Sequence, residues 1–184
     1  VLLEQIGVRC AVVATELEEV VLPGEAPEDY VRRVALDKAC AGRALVAARS
    51  QVPVLGADTA VVIGGRILGK PADEREATEM MRQLSGRTHR VLTAVTLLGA
   101  ERRQAMSISE VRFRAVTRRE ACAYWRTGEP LDKAGGYAIQ GLGAVFIAAL
   151  RGSYSGVVGL PLCETAQLLA AEGIEVLAGE YEVE

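Results

Sequence analysis

The sequence predicts a single α/β domain, or one domain with two lobes. Half of the 184 residues are apolar, enough for a sizeable core. Apolar runs of strand character alternate with stripes at helical spacing, and the turns between them carry glycine. The longest apolar runs are too short, and too broken by glycine, to span a bilayer, and no signal peptide is visible.

Residues 1–7 read as a helix with Leu2, Leu3 and Ile6 on one stripe and a glycine stop. Residues 9–13 read as a strand, and 15–25 as an acidic loop containing Glu16 and Glu19. Pro27 sits in the first turn of a long helix reaching about residue 49. Its stripe, Val31, Val34 and Ala35, continues onto Lys38, an inward lysine that needs either a route to water or an anionic partner.

Residues 54–71 form two strands joined at Gly64-Gly65, a pair suited to a tight hairpin turn. A two-residue loop pairs Ile63 with Arg66, and counting back sets Thr59 opposite Lys70 with Asp58 beside it. Strict alternation points Asp58 and Thr59 to opposite faces, so their cooperation calls for a bulge or a twist.

Asp73 and Glu76 open a helix over 74–84 whose buried stripe is Ala77, Met80, Met81 and Leu84. A strand over 90–98 follows, then a solvent-facing partner over 104–115 with Met106, Ile108, Val111 and Phe113 as its imperfect apolar set. Thr117 and Glu120 open a short helix ending at Gly128, with Tyr124 and Trp125 packing. Two glycine-rich stretches, 132–143 and 152–159, frame the last third, and amides of the second are placed to face an anion. A final helix reaches about residue 172, and a strand over 174–177 ends the fold.

The net charge of −3 gives no global attraction to nucleic acid, so any anion site is local. Four cysteines without a C-x-x-C pair read as reduced, mostly buried thiols of a cytoplasmic protein. One histidine, His89, excludes a poly-histidine metal site and reads as a satisfied structural group. Any metal is therefore a hard cation on carboxylates, Mg²⁺ or Mn²⁺. Of 21 basic residues only Lys38, Lys70 and Lys133 are lysine, each in an unusual context. A compact ammonium on a phosphate oxygen is one reason to keep lysine there. For Lys133 the simpler reading is an ion pair with Asp132 closing the turn.

Three lysines, two glycine-rich turns, a strand-end aspartate and an acidic loop fit a polyphosphate carrying its metal. Anhydride cleavage needs neutralised phosphate oxygens, an in-line water and a carboxylate to orient or deprotonate it. Asp58 is that base or a metal ligand. The P-loop, nucleophile-elbow and dinucleotide fingerprints are absent.

Five blocks resemble the Maf family of nucleoside triphosphate pyrophosphatases. They are A-D-T-A-V (57–61), L-G-K-P-A-D (68–73), L-S-G-R-T-H-R-V (84–91), G-E-P-L-D-K-A-G-G-Y-A-I-Q-G (128–141) and G-S-Y-S-G-V-V-G-L-P-L (152–162). The resemblance implies one domain over residues 1–184, a central twisted mixed β-sheet flanked by helices, and two lobes around a cleft. It implies cleavage between the α and β phosphates with Mg²⁺ or Mn²⁺, Asp58 accepting the proton, Lys38 and Lys70 on phosphates, and Glu19 with Asp58 at the metal. Thr59 and Gln140 are similar to the branch acting on dTTP and UTP. A glutamine amide both donates and accepts, as the O4/N3–H edge of uracil or thymine requires. The family's opening S-x-S-P-R-R falls before residue 1, and Ala94 stands where the family often has glycine. The partners implied are a nucleoside triphosphate and, compatibly, a second copy in a homodimer, with no nucleic acid polymer and no membrane. Two other readings remain: a nucleotide-binding regulator of septum formation with little turnover, and an inosine-triphosphate-type cleaner preferring purines.

Overall fold

The computed structural model describes residues 2–46 and 52–177. The first element is a single 3-10 turn, Glu4–Ile6, ended by left-handed Gly7, where a longer helix was expected. Helix α1 (Pro27–Val46) follows, and the remainder of its predicted span lies outside the described residues. Strands β1 (Val54–Ile63) and β2 (Arg66–Leu68) make the hairpin, turning at Gly64 (φ 57°) and Gly65 (φ 78°). Then come α2 (Glu74–Leu84), β3 (Thr88–Leu98), β4 (Arg102–Phe113) and α3 (Arg118–Trp125). Two 3-10 turns, Ala134–Gly136 and Leu142–Phe146, lead to β5 (Ile147–Arg151), α4 (Tyr154–Val158) and α5 (Leu162–Ala170).

The strands form one open sheet in the order β2-β1-β3-β4-β5, with every neighbour antiparallel. The single α/β domain is as expected, but among the described residues the sheet is antiparallel rather than mixed. The two short runs expected as further strands do not form. Residues 9–13 pair with no strand, and Val12 is 86% exposed. At the other end, Ile174 N–H donates to Leu169 and Gly173 N–H to Ala170, so the amides after α5 cap that helix instead of entering a ladder.

Alternation along the strands sorts the core onto two faces. Ala60, Val62, Leu92 and Ala94 meet Tyr30, Val31, Val34 and Ala35 of α1. On the other face Val61, Ile63, Val91, Val111 and Phe113 meet Met81 and Leu84 of α2 and Tyr124 of α3. In β4 the parity differs from the expected apolar set: Ser107 and Ser109 are buried with Val111 and Phe113, whereas Ile108 is 44% exposed. Those serines serve the chain segment that crosses above them. Ser153 N–H donates to Ser109 Oγ, and Ser109 Oγ donates to Ser153 O.

The cysteines also depart from expectation. Cys10, Cys40 and Cys163 are exposed and Cys122 is half-buried, all as free thiols. None belongs to either apolar cluster.

Candidate active site

Gly56 lets α1 lie directly on β1. A Cβ built there would stand 2.5 Å from both Ala35 O and Ala39 N. That close approach carries Lys38, one turn along the helix, over Asp58 on the same face of the sheet. Lys38 Nζ lies 2.7 Å from Asp58 Oδ1 and 2.8 Å from Glu19 Oε1. Glu19 Oε2 is in turn 3.4 Å from Lys70 Nζ. Asp58, Lys38, Glu19 and Lys70 thus form one chain of alternating charge.

Asp58 is 5% exposed, and its second oxygen, Oδ2, is buried without a hydrogen-bond partner. Burial raises the Asp58 carboxyl above its ordinary value, against the opposing pull of Lys38. Glu19 is also pushed upward by burial, but Lys38 and Lys70 outweigh that and hold it below its ordinary value. For Lys38, burial disfavours the charge, yet hydrogen bonds to Asp58 and Glu19 raise it overall.

Strand β2 stops at Leu68, so its pairing with β1 ends at Val61 and never reaches Thr59 or Lys70. The edge of β1 is therefore bare at residues 57–60, and a cleft of about 400 Å³ opens along it. Glu19, Lys38, Asp58, Thr59, Lys70 and Gln140 all line that cleft. No bulge brings Asp58 and Thr59 together, since the β1–β3 register is unbroken from Val54 to Val62. They remain on opposite faces, and the cleft reaches both by passing round the open edge.

The far wall is the segment 132–140. Gly135 N–H donates to Gly69 O, fastening this segment beside Lys70. Glu129 fixes its other end by accepting from the Tyr124 hydroxyl and from the amides of Leu142 and Gly143, while Tyr124 Oη accepts from Ala138 N–H. Gln140 sits between these anchors. Lys133 also lines the cleft, and among the described residues no carboxylate lies within ion-pairing distance of it, so the expected pair with Asp132 does not form. Asp132 itself has a left-handed backbone (φ 60°).

Thr59 faces the other side of the sheet, 2.9 Å from Thr93 Oγ1, and Thr93 donates to Gly156 O at 2.7 Å. The glycine-rich segment 152–159, whose amides were expected to face an anion, spends several of them on its own turn and on the sheet. Gly156 N–H is taken by Ser153 Oγ and Val157 N–H by Ser153 O, and the segment presents Val157 and Val158 to the cleft. His89 is buried, pushed down to about 4 by desolvation, with Nε2 2.7 Å from the Tyr137 hydroxyl. It is thus neutral at ordinary pH and packs edge-on to Phe113 and Tyr137.

Sequence reasoning missed the apolar wall, Val157, Val158 and Tyr137, and the anchor Glu129. Valine in a glycine-rich stretch and a glutamate after a helix stop carry no local signature of such roles.

Among the described residues no group of three or more His, Cys, Asp or Glu side chains could cage a metal ion. The donors present are the two carboxylates of Glu19 and Asp58, one with an unpartnered oxygen. That set fits a hard cation which keeps several waters and is shared with a phosphate ligand, as Mg²⁺ commonly is.

A family model described as Maf-like protein matches residues 1–172. The chain is 53% identical over 178 residues to the dTTP/UTP pyrophosphatase of Saccharophagus degradans, covering 95% of this chain and 84% of that protein. It is 53% identical over 182 residues to the dTTP/UTP pyrophosphatase of Methylococcus capsulatus, covering 97% and 89%. It is 54% identical over 175 residues to that of Xanthomonas campestris pv. campestris, covering 94% and 92%.

Proposed function

The chain belongs to the Maf-like protein family, and from that premise we propose that it hydrolyses dTTP and UTP to the nucleoside monophosphate and pyrophosphate. The observation that carries this reading is the charge chain Asp58–Lys38–Glu19–Lys70, set in the same cleft as Thr59 and Gln140.

Asp58 is the general base. One of its oxygens is tied to Lys38 and the other has no hydrogen-bond partner. As a water adds to the α-phosphorus of the α–β anhydride, its proton passes to the Asp58 carboxylate. The bridging P–O bond breaks and the bridging oxygen leaves with pyrophosphate. Lys38 keeps Asp58 in place, and with Lys70 it balances charge gathering on the phosphate oxygens. Glu19 and Asp58 would hold the Mg²⁺ or Mn²⁺ that arrives with the triphosphate. When bound, that cation neutralises phosphate charge and helps orient the anhydride.

Gln140, held between its two anchors, donates its amide N–H to O4 of thymine or uracil, and Thr59 accepts from N3–H of the same base. The apolar wall of Tyr137, Val157 and Val158 receives the ring face. No helix among the described residues is long and apolar enough to cross a membrane. A cytoplasmic enzyme meeting free nucleotides is consistent with that.

The test is pyrophosphate release from a panel of purine and pyrimidine triphosphates with Mg²⁺ or Mn²⁺. We expect dTTP and UTP to lead, with Asp58→Asn lowering kcat by about 10²–10⁴-fold. Tight nucleotide binding without turnover would favour the regulator, which the names of the relatives do not favour. A preference for purines would favour the inosine-triphosphate-type reading.

A further inference from the structure

We infer that Thr93, a buried residue outside the cleft lining, sets base selectivity by fixing Thr59 as a hydrogen-bond acceptor. The inference rests on the dTTP/UTP reading above and concerns how that selectivity is built.

A threonine hydroxyl has one proton to donate and lone pairs to accept with. A backbone carbonyl only accepts, so the 2.7 Å contact between Thr93 Oγ1 and Gly156 O consumes the Thr93 proton. The 2.9 Å contact between the two threonine oxygens then has one possible donor, Thr59. Thr59 has therefore spent its proton on Thr93 and faces the cleft with lone pairs alone.

The arrangement is rigid. Thr59 and Thr93 are direct cross-strand partners in the unbroken β1–β3 ladder, and Thr93 is 1% exposed. Gly156 belongs to α4, whose cap residue Ser153 is fixed to the sheet through Ser109. The acceptor at the end of the relay thus cannot turn away without disturbing the segment that walls the cleft.

An acceptor-only hydroxyl pairs with the N3–H that thymine and uracil carry. Cytosine presents a bare N3 lone pair at that position, and two lone pairs facing each other leave both unsatisfied. Discrimination of this kind comes from the unpaired polar group in the wrong complex. Without Thr93 Oγ1, Thr59 regains a free rotor that can donate to cytosine N3 as readily as it accepts from thymine.

The experiment measures kcat/KM for dTTP and dCTP in the wild type and in Thr93→Val, Thr93→Ala and Thr93→Ser, with thermal unfolding as the control for folding. The expected result is a dTTP-to-dCTP ratio lowered by about tenfold or more in the valine and alanine variants. Serine, which keeps the hydroxyl, retains the wild-type ratio within about threefold. A ratio unchanged in whichever of the valine and alanine variants folds would overturn the inference, as would a serine variant that loses it equally. Wild-type protein that does not turn over dTTP refutes the proposed function instead.

Discussion

Asp58 combines two demands that usually conflict: it must stay beside a lysine and still accept a proton. Burial raises its carboxyl while Glu19 is held down by two lysines. A base must be ionised to work, so kcat/KM should fall as the pH drops through the raised Asp58 value. The acid limb of the kcat/KM profile should therefore lie above 3.8, the ordinary value for the residue. A limb at or below it would show that a different group is titrating. Lys133 supports a second prediction at this scale, since it lines the cleft with no carboxylate within ion-pairing distance among the described residues. Lys133→Gln should raise KM for dTTP about tenfold with little change in kcat, read from steady-state kinetics. Much of this was legible in the sequence, because lysine is rare in an arginine-rich chain and Asp58 interrupts an apolar strand. What was not legible was the pairing of each charge. Lys133 beside Asp132 looked like a local pair, and only the left-handed backbone at Asp132 and the tie of Gly135 to Gly69 set that aside.

Helix α1 and strand β1 position the site as a unit, and the contact at Gly56 sets their spacing. Gly56→Ala would place a methyl carbon 2.5 Å from backbone atoms of α1, which have no side-chain freedom with which to yield. The helix must move outward, lifting Lys38 from Asp58. We expect a loss of about 1–3 kcal/mol in denaturant unfolding, accompanied by a fall in kcat/KM. Normal stability with normal kinetics would mean that the spacing is not critical. The elements themselves were readable where local chemistry fixes them. Asp73 accepts from Glu76 N–H at the start of α2, Thr117 and Glu120 make the reciprocal cap of α3, and Gly64-Gly65 turns the hairpin as expected. Residues 9–13 and 174–177 failed because a strand needs a partner edge, which no local pattern of residues supplies. In β4 the periodicity was right, but its phase was hidden, because the inward positions carry serine for the segment that crosses them.

Across the molecule, the cleft exists because a three-residue strand leaves the flank of a ten-residue strand uncovered. A bare edge is ordinarily a liability, and here the segment 132–140 stands off from it and turns it into a wall of the site. That arrangement was not visible in the sequence, since it depends on where one strand stops relative to another. Glu19 enters the cleft from a stretch that has no regular secondary structure and grips two lysines at once. Its carboxylate is an internal rival for the cations that a triphosphate would claim, so docking becomes a trade of one anion for another. Glu19→Gln should therefore bind dTTP more tightly than wild type in the presence of a chelator, measured by calorimetry, while turning it over more slowly with Mg²⁺. Equal chelator-phase affinity in both proteins would mean that no such competition exists. On this view the resting enzyme carries its own counterfeit ligand, and only a substrate offering more negative charge than one carboxylate can evict it.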